Sequence, residues 1–182
     1  MKKKFFLFLF ALFVFIQTTS GQQLVIQRHL TTADGLPSNT VRHIMQDSYG
    51  YLWFSTTNGL SRYDGYSIRN YRRAEGLQDV RISYTREQAD HSIAIVTTRG
   101  EVYRLAQGAD TVVWLMNDLH ELRPEDSAAL RDSVIAVYSA LGGDHATMVN
   151  AIRYVIRDRS GSVWVGTEQF GCEQLVDYQQ QW

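Results

Sequence analysis

Two aspartates in this 182-residue chain occupy equivalent places and could be read as a catalytic carboxylate pair. Asp47 and Asp158 each precede a glycine by three residues and a tryptophan by six. Turn chemistry explains both aspartates without catalysis. Asp at the first position of a β-turn accepts hydrogen bonds from the following backbone, and Gly at the fourth adopts a positive φ. The turn interpretation is preferred, so we predict no catalytic residue.

No other residue pattern indicates a reactive centre. The five histidines lack metal-ligand spacing. A single cysteine, Cys172, excludes an intramolecular disulfide and any multi-cysteine metal cluster. There is no Gly-x-Ser-x-Gly motif, and the serines at 160 and 162 have no identifiable base. We therefore expect neither a metal nor a cofactor.

Aromatic and arginine side chains are the remaining candidates for ligand binding. Trp53 and Trp164 could stack on sugar rings, but their repeated position favours packing between repeats. Residues that break the repeat are better candidates, and one cluster contains Arg69, Tyr71, Arg72 and Arg73. Arginine offers planar bidentate donors for carboxylates such as those of uronic acids. A solvated basic stripe is the simpler interpretation of the same cluster.

These residues lie in a repeat of about 41 residues. Residues 35–59 align with residues 76–100 without a gap, and a third copy lies near the C-terminus. The motif comprises Asp47, Gly50, Trp53, Thr56 and Gly59 in the first copy and Asp158, Gly161, Trp164 and Thr167 in the third. The second copy has Gln88, His91 and Ala94 in place of Asp, Gly and Trp. Its first hairpin is therefore expected to be weaker or bulged.

Each copy reads as short strands joined by tight turns. In the first copy, strands are predicted at 41–46, 51–55, 60–63 and 66–71. Four antiparallel strands in about 40 residues are typical of one β-propeller blade. The predicted fold is all-β: a partial, open β-propeller of about three to four four-stranded antiparallel blades with one helical insertion. The blades are predicted at 24–71, 72–110 and 148–182.

The insertion occupies residues 111–147 and interrupts the repeat. Within it, residues 124–138 have helical character, with a polar start that suits a helix N-terminus. Leu130, Val134, Val137 and Leu141 fall on one face of this helix. The segment is expected to pack on the rim of the propeller or to form a blade whose strands are unrecognisable.

Residues 1–21 have the pattern of a secretory signal peptide. Three lysines at positions 2–4 precede twelve apolar residues and a short polar segment with small residues before Gln22. Twelve residues span about 18 Å as a helix, too short for a bilayer core of about 30 Å. An uncleaved anchor is the alternative. We expect a mature chain without a stable membrane span, located in the periplasm or secreted.

The charge of the predicted mature chain argues against nucleic-acid binding. From Gln22 onward there are 15 arginines, 19 acidic residues and no lysine, which leaves a formal charge of −4. A nucleic-acid binder is expected to present a broad basic surface. We therefore expect no nucleic-acid partner.

A longer stretch resembles a known repeat. Residues 29–65 resemble the two-component regulator propeller repeat through Asp-Gly-Leu followed by Asp-x-x-Gly-x-x-Trp-x-x-Thr-x-x-Gly-Leu, and residues 157–167 match its central half. Such repeats build the N-terminal periplasmic sensors of hybrid two-component systems. The resemblance implies that the full-length relative binds an oligosaccharide and signals to a histidine kinase and a DNA-binding regulator.

The combined prediction is the exported N-terminal part of such a sensor, with an oligosaccharide and further propeller blades of the same or a neighbouring chain as partners. The sequence contains no kinase ATP-binding glycine loop, so no enzymatic activity is expected. Fewer than four repeats follow residue 21, and closed propellers have four to eight blades. An open arc should expose apolar faces and self-associate. The alternatives are a secreted propeller lyase or hydrolase, or a truncated remnant.

Overall fold

The protein is built from four-stranded antiparallel sheets. The computed structural model describes residues 24–117 and 128–177, so the predicted signal peptide at 1–21 lies outside the described residues. The first sheet has the order β2 (Val41–Gln46), β3 (Leu52–Thr56), β4 (Gly59–Tyr63) and β5 (Ile68–Tyr71). The second has the order β6 (Ile82–Glu87), β7 (Ile93–Thr97), β8 (Glu101–Leu105) and β9 (Val113–Asn117). The predicted all-β, blade-like architecture is confirmed.

The third sheet joins the two ends of the described chain. Its order is β1 (Leu24–Leu30), β12 (Cys172–Asp177), β11 (Val163–Thr167) and β10 (Ile152–Arg157). Among the described residues the third copy supplies only three strands. β1 pairs along the free edge of β12 and satisfies backbone groups that an edge would leave unpaired.

Two predicted blade boundaries are therefore wrong. The blade expected at 24–71 begins at Val41, because β1 belongs to the third sheet. The blade expected to end at 110 continues to Asn117, because β9 pairs with β8 across part of the predicted insertion. Sequence comparison misplaced both outer strands because they carry no repeated motif. Their places are decided by which edge they pair with.

The hairpin of the second copy keeps the turn seen in the first copy. His91 adopts a φ of 60° where the first copy has Gly50 at 94°. The His91 amide donates to the Gln88 carbonyl at 2.9 Å, and the Gly50 amide donates to the Asp47 carbonyl at 3.0 Å. Histidine is among the non-glycine residues that tolerate this left-handed region. The turn survives the substitution. The hairpin has a register shift between Ile82 and Tyr84, but the other two copies have one at the same place, so the altered motif adds no bulge of its own.

The two repeated tryptophans pack between sheets. Trp164 of the third sheet lies 5.7 Å from Phe54 and 5.9 Å from Tyr63 of the first sheet, measured between ring centroids. Trp53 of the first sheet shares a buried cluster with Ile93 and other residues of the second sheet. The exposed fractions of Trp53 and Trp164 are only 3% and 2%. The first sheet therefore lies between the other two.

Two helices cover the outer face of the third sheet. They are α1 (Ala128–Leu141) and α2 (Gly143–Met148). Val134 and Tyr138 of α1 pack against a cluster that includes Val155 and Leu175. The predicted apolar face is correct at Val134 and wrong at Leu141, which is 52% exposed because α1 ends there. Residues 124–127 of the predicted helix lie outside the described residues.

A buried polar contact fixes α1 on the sheet. The Tyr138 hydroxyl donates to the carboxylate of Glu173, and both residues are buried. Burial and this carboxylate raise the pKa of Tyr138 well above its usual range, so the phenol stays protonated and remains a donor. The helical insertion thus packs against the sheet as a cap for one outer face of the arc.

Removing an inter-sheet tryptophan should destabilise the whole protein. Trp53→Ala is expected to lower the free energy of unfolding by about 3–5 kcal/mol, because it leaves a cavity between two sheets. Trp114→Ala on β9 is the matched control. This indole is 51% exposed, so its loss should cost less than about 1 kcal/mol. Urea unfolding measures both, and near-wild-type stability of Trp53→Ala would contradict inter-sheet packing.

Candidate ligand site

Both motif aspartates are fully engaged in holding their hairpins. One oxygen of Asp47 accepts from the amides of Tyr49 and Tyr51 at 3.0 and 2.9 Å, and the other accepts from the Trp53 indole at 2.8 Å. Asp158 accepts from the Trp164 indole at the same distance. Each carboxylate ties its turn to the tryptophan that packs on the next sheet. This geometry supports the structural interpretation of the aspartates.

The second copy shows what happens without this pairing. Ala94 occupies the tryptophan position, so no indole is present to bond Gln88, which replaces the aspartate. The side-chain nitrogen of Gln88 is buried and has no hydrogen-bond partner among the described residues. Ala94 shares the second sheet with Tyr84, Val96 and Val102, which form a separate small cluster. The motif is thus lost in the sheet at the end of the arc.

The strands β2, β6 and β10, each the first strand of its copy, meet at a buried histidine. His43, Tyr84 and Tyr154 hold the same position in the three copies. The His43 ring lies 4.4 Å from the Tyr154 ring and 6.3 Å from the Tyr84 ring, between centroids. Its Nδ1 accepts a hydrogen bond from the Thr85 amide at 3.3 Å. Burial lowers the pKa of His43 to about 3, so the ring is neutral at pH 7.

A solvent-open cleft lies between the first and second sheets. The first sheet and its hairpin contribute aromatic residues and one arginine to the walls: Tyr49, Tyr51, Trp53, Arg62 and Tyr71. The second sheet contributes His91, Ile93 and the turn at 105–109. The cleft therefore joins residues from two copies of the repeat, at a place where the copies differ.

The cleft includes part of the predicted arginine and tyrosine cluster. Tyr71 lies in its wall, stacked on Trp53 with 5.8 Å between ring centroids. The Arg69 guanidinium lies 5.4 Å from the centre of the Tyr71 ring and forms an ion pair with Asp110. The structure brings Tyr71 and Arg69 into contact, and Tyr71 of this pair lines the cleft.

Arg72 and Arg73 do not line the cleft. Both are exposed, at the start of the short 3-10 helix Arg73–Glu75. The Arg72 amide donates to the Glu75 carboxylate at 2.7 Å, which caps this helix. The chain leaves strand β5 at Tyr71 and begins this helix at Arg73. The four residues predicted as one cluster therefore do not form a single site.

Sequence reasoning missed the residues that complete the cleft. The Arg62 guanidinium lies 4.6 Å from the centre of the Tyr51 ring, a cation–π contact. His91 contacts Tyr49 edge-on at 5.5 Å, across the boundary between the two sheets. One signal was available in the alignment, because Arg62 aligns with Tyr103 in the second copy and so breaks the repeat.

Polar contacts also join the two sheets beside the cleft. The Ser48 amide donates to the Glu87 carboxylate at 2.7 Å. The Ser48 hydroxyl and Glu87 both contact Nδ1 of His91 at 3.0 Å. Burial acts to raise the pKa of Glu87, but its hydrogen bonds to Ser48 and His91 together lower it below the usual value. The turn of the first sheet is thereby held against the second.

The described residues provide no metal centre and no membrane-crossing helix. Across residues 24–117 and 128–177, no group of three histidine, cysteine or acidic side chains could hold a metal ion. No helix in the same ranges has the length and apolar character needed to cross a bilayer.

Comparison with known families identifies the repeat. The family model described as two component regulator propeller matches residues 35–58, the segment that carries the Asp47 hairpin and Trp53. Residues 35–58 therefore match this repeat, as the sequence resemblance indicated. Histidine kinase P4 from Formosa agariphila is 33% identical over 60 residues. That match covers 33% of this chain and 4% of the kinase.

Solved structures with similar architecture are also distant in sequence. Two are extracellular domains of hybrid two-component systems from B. thetaiotaomicron, both 19% identical, with TM-scores of 0.45 and 0.41. They are matched over 78% and 84% of this chain, which spans 17% and 19% of their lengths. Streptogramin B lyase is 12% identical with a TM-score of 0.40, over 79% of this chain and 38% of the lyase.

Acid should destabilise the protein through His43. Its folded-state pKa of about 3 lies below the unfolded value near 6.5, so the unfolded chain binds a proton that the folded chain excludes. Stability contributed by the neutral ring is present above pH 6.5 and is lost progressively as the pH falls toward 3. Urea unfolding at pH 7.5 and pH 5.5 should show this loss.

A matched pair of variants isolates the effect. His43→Gln keeps an acceptor for the Thr85 amide but cannot titrate, so its unfolding free energy should change less between the two pH values. Arg42→Gln, at the exposed neighbouring position, removes no group that titrates between pH 5.5 and 7.5 and should retain the wild-type pH dependence. Equal pH dependence in wild type and His43→Gln would contradict this account.

Proposed function

We propose that this chain is the exported propeller part of a sensor of a hybrid two-component system, and that it binds an oligosaccharide. The match of residues 35–58 to the two-component regulator propeller carries the proposal. The 33% identity to a histidine kinase over 60 residues supports it. The chain spans 4% of that kinase, so signalling to a kinase and a DNA-binding regulator is part of the proposal.

A sensor must favour one arrangement of its parts when the ligand binds. The cleft is suited to this task because its walls come from two sheets. A ligand that contacts both sheets stabilises their present separation, which is otherwise held by the tryptophan packing and by Ser48 with Glu87. Under this proposal, contacts to both sheets are how the ligand favours one arrangement over another.

Several observations favour a binding role over catalysis. Asp47 and Asp158 direct their carboxylates at backbone amides and indoles, which leaves them committed to structure. His43 is buried and held neutral, away from the cleft. The proposal therefore includes no turnover of glycans by this chain.

Export is the first test of the proposal. Expressed with its own N-terminus, the protein should appear outside the cytoplasm and begin at Gln22, because residues 1–21 have the pattern of a cleaved signal. Intact-mass spectrometry of the periplasmic fraction measures this. Leu9→Arg interrupts the apolar run and should leave the full-length chain in the cytoplasm. Recovery of an intact 1–21 segment in the membrane fraction would make the chain a tethered protein.

Glycan binding is the second test. The purified chain should bind a subset of defined neutral and acidic oligosaccharides on an array, and it should leave them uncleaved after prolonged incubation. Trp114→Ala is a suitable control because this indole is exposed and lies outside the cleft. Absence of binding to every glycan would reject oligosaccharide sensing, and product release would support the enzyme alternative.

A further inference from the structure

The geometry points to the cleft between the first and second sheets as a binding site for a uronic acid ring, with Tyr71 and Arg62 as the recognising residues. The inference rests on the proposed function and deepens it. It names the place in the fold and the charge of the ligand, neither of which follows from the repeat motif. Three features of the cleft carry the argument.

The first feature is a buried hydroxyl without a partner. Tyr71 has no exposed surface, and its hydroxyl makes no hydrogen bond among the described residues. Leaving a buried donor unsatisfied is unfavourable, and such groups are rare in folded proteins. Burial raises the pKa of Tyr71, so the hydroxyl is protonated and can both donate and accept. Tyr71 lies in the wall of the cleft, and a sugar hydroxyl that reaches its phenol there would satisfy it.

The second feature is a guanidinium without a carboxylate partner. Arg62 lies over the Tyr51 ring and forms no ion pair among the described residues. The neighbouring Arg69 differs, because Asp110 neutralises it. Asp47 also lines the cleft, but its oxygens already accept from two amides and an indole. The donors of Arg62 are therefore not taken up by a carboxylate among the described residues, and a ligand carboxylate matches their planar geometry.

The third feature is an aromatic lining on both sides. Tyr49 and Tyr51 come from the first sheet, and His91 contacts Tyr49 from the second. Aromatic faces suit the apolar faces of a sugar ring. A ring with hydroxyls and one carboxylate meets all three features. A neutral sugar leaves Arg62 unpaired, and a plain aromatic acid leaves the Tyr71 hydroxyl unsatisfied.

Isothermal titration of the full chain with sodium glucuronate tests the inference, with glucose and benzoate as comparison ligands. Glucuronate should bind more tightly than either. Tyr71→Phe should weaken glucuronate binding at least about fivefold, and Arg62→Gln at least about tenfold, in line with the loss of a neutral and of a charge-assisted hydrogen bond. Tyr66→Phe and Arg42→Gln, at exposed positions outside the cleft, should bind as wild type.

Tyr71→Phe also separates binding from folding. Because the hydroxyl has no partner in the protein, its removal should leave the melting temperature unchanged or raise it. A lower melting temperature together with unchanged glucuronate affinity would make the hydroxyl structural and overturn the inference. Tighter binding of benzoate than of glucuronate, or no binding of glucuronate at all, would overturn it as well.

Testing wild type and both variants on the oligosaccharide array distinguishes the cleft assignment from the proposed sensor function. If oligosaccharides bind but Tyr71→Phe and Arg62→Gln bind them like wild type, the sensor proposal stands and the cleft assignment fails. If glucuronate binds and both variants weaken it while no oligosaccharide binds, the cleft assignment stands and oligosaccharide sensing fails.

Discussion

The structure depends on one hydrogen bond, from a tryptophan indole to an aspartate at the start of a β-turn. In the first and third copies this bond spans 2.8 Å and joins local turn geometry to packing between sheets. The aspartate orders the hairpin through backbone amides and orients the indole against the neighbouring sheet. A motif within seven residues of sequence thereby positions a tryptophan that packs on the neighbouring sheet. This packing joins the three small sheets into one arc.

The second sheet lacks this bond and differs from the other two sheets. The second copy has no indole at position 94, and Gln88 keeps a buried nitrogen without a partner among the described residues. His91 replaces the turn glycine, and its side chain contacts Glu87 of its own sheet and Ser48 across the sheet boundary. Loss of symmetry in the second copy thus supplies His91, one of the residues that bound the cleft. A repeat protein gains a specific site where one copy departs from the others.

The third sheet, at one end of the arc, is covered in two ways. β1 fills the place of the fourth strand in the third sheet, so the edge of β12 is paired. The helices α1 and α2 cover the outer face of the same sheet through Val134 and Tyr138. Open propeller edges invite association with another chain, and both devices reduce the exposed edge and the exposed apolar area.

The sequence by itself determined the blade architecture and the role of the motif. The Asp-x-x-Gly-x-x-Trp spacing repeats, and a turn, an indole and a strand are all local consequences of it. The sequence also predicted Tyr71 and Arg69 as candidate ligand-binding residues. Tertiary structure alone decided that β1 pairs with β12, because strand pairing depends on which edge is free. It alone placed Arg62 and His91, 29 residues apart in the chain, in one cleft. Their meeting is set by the packing of two sheets, which no local pattern encodes.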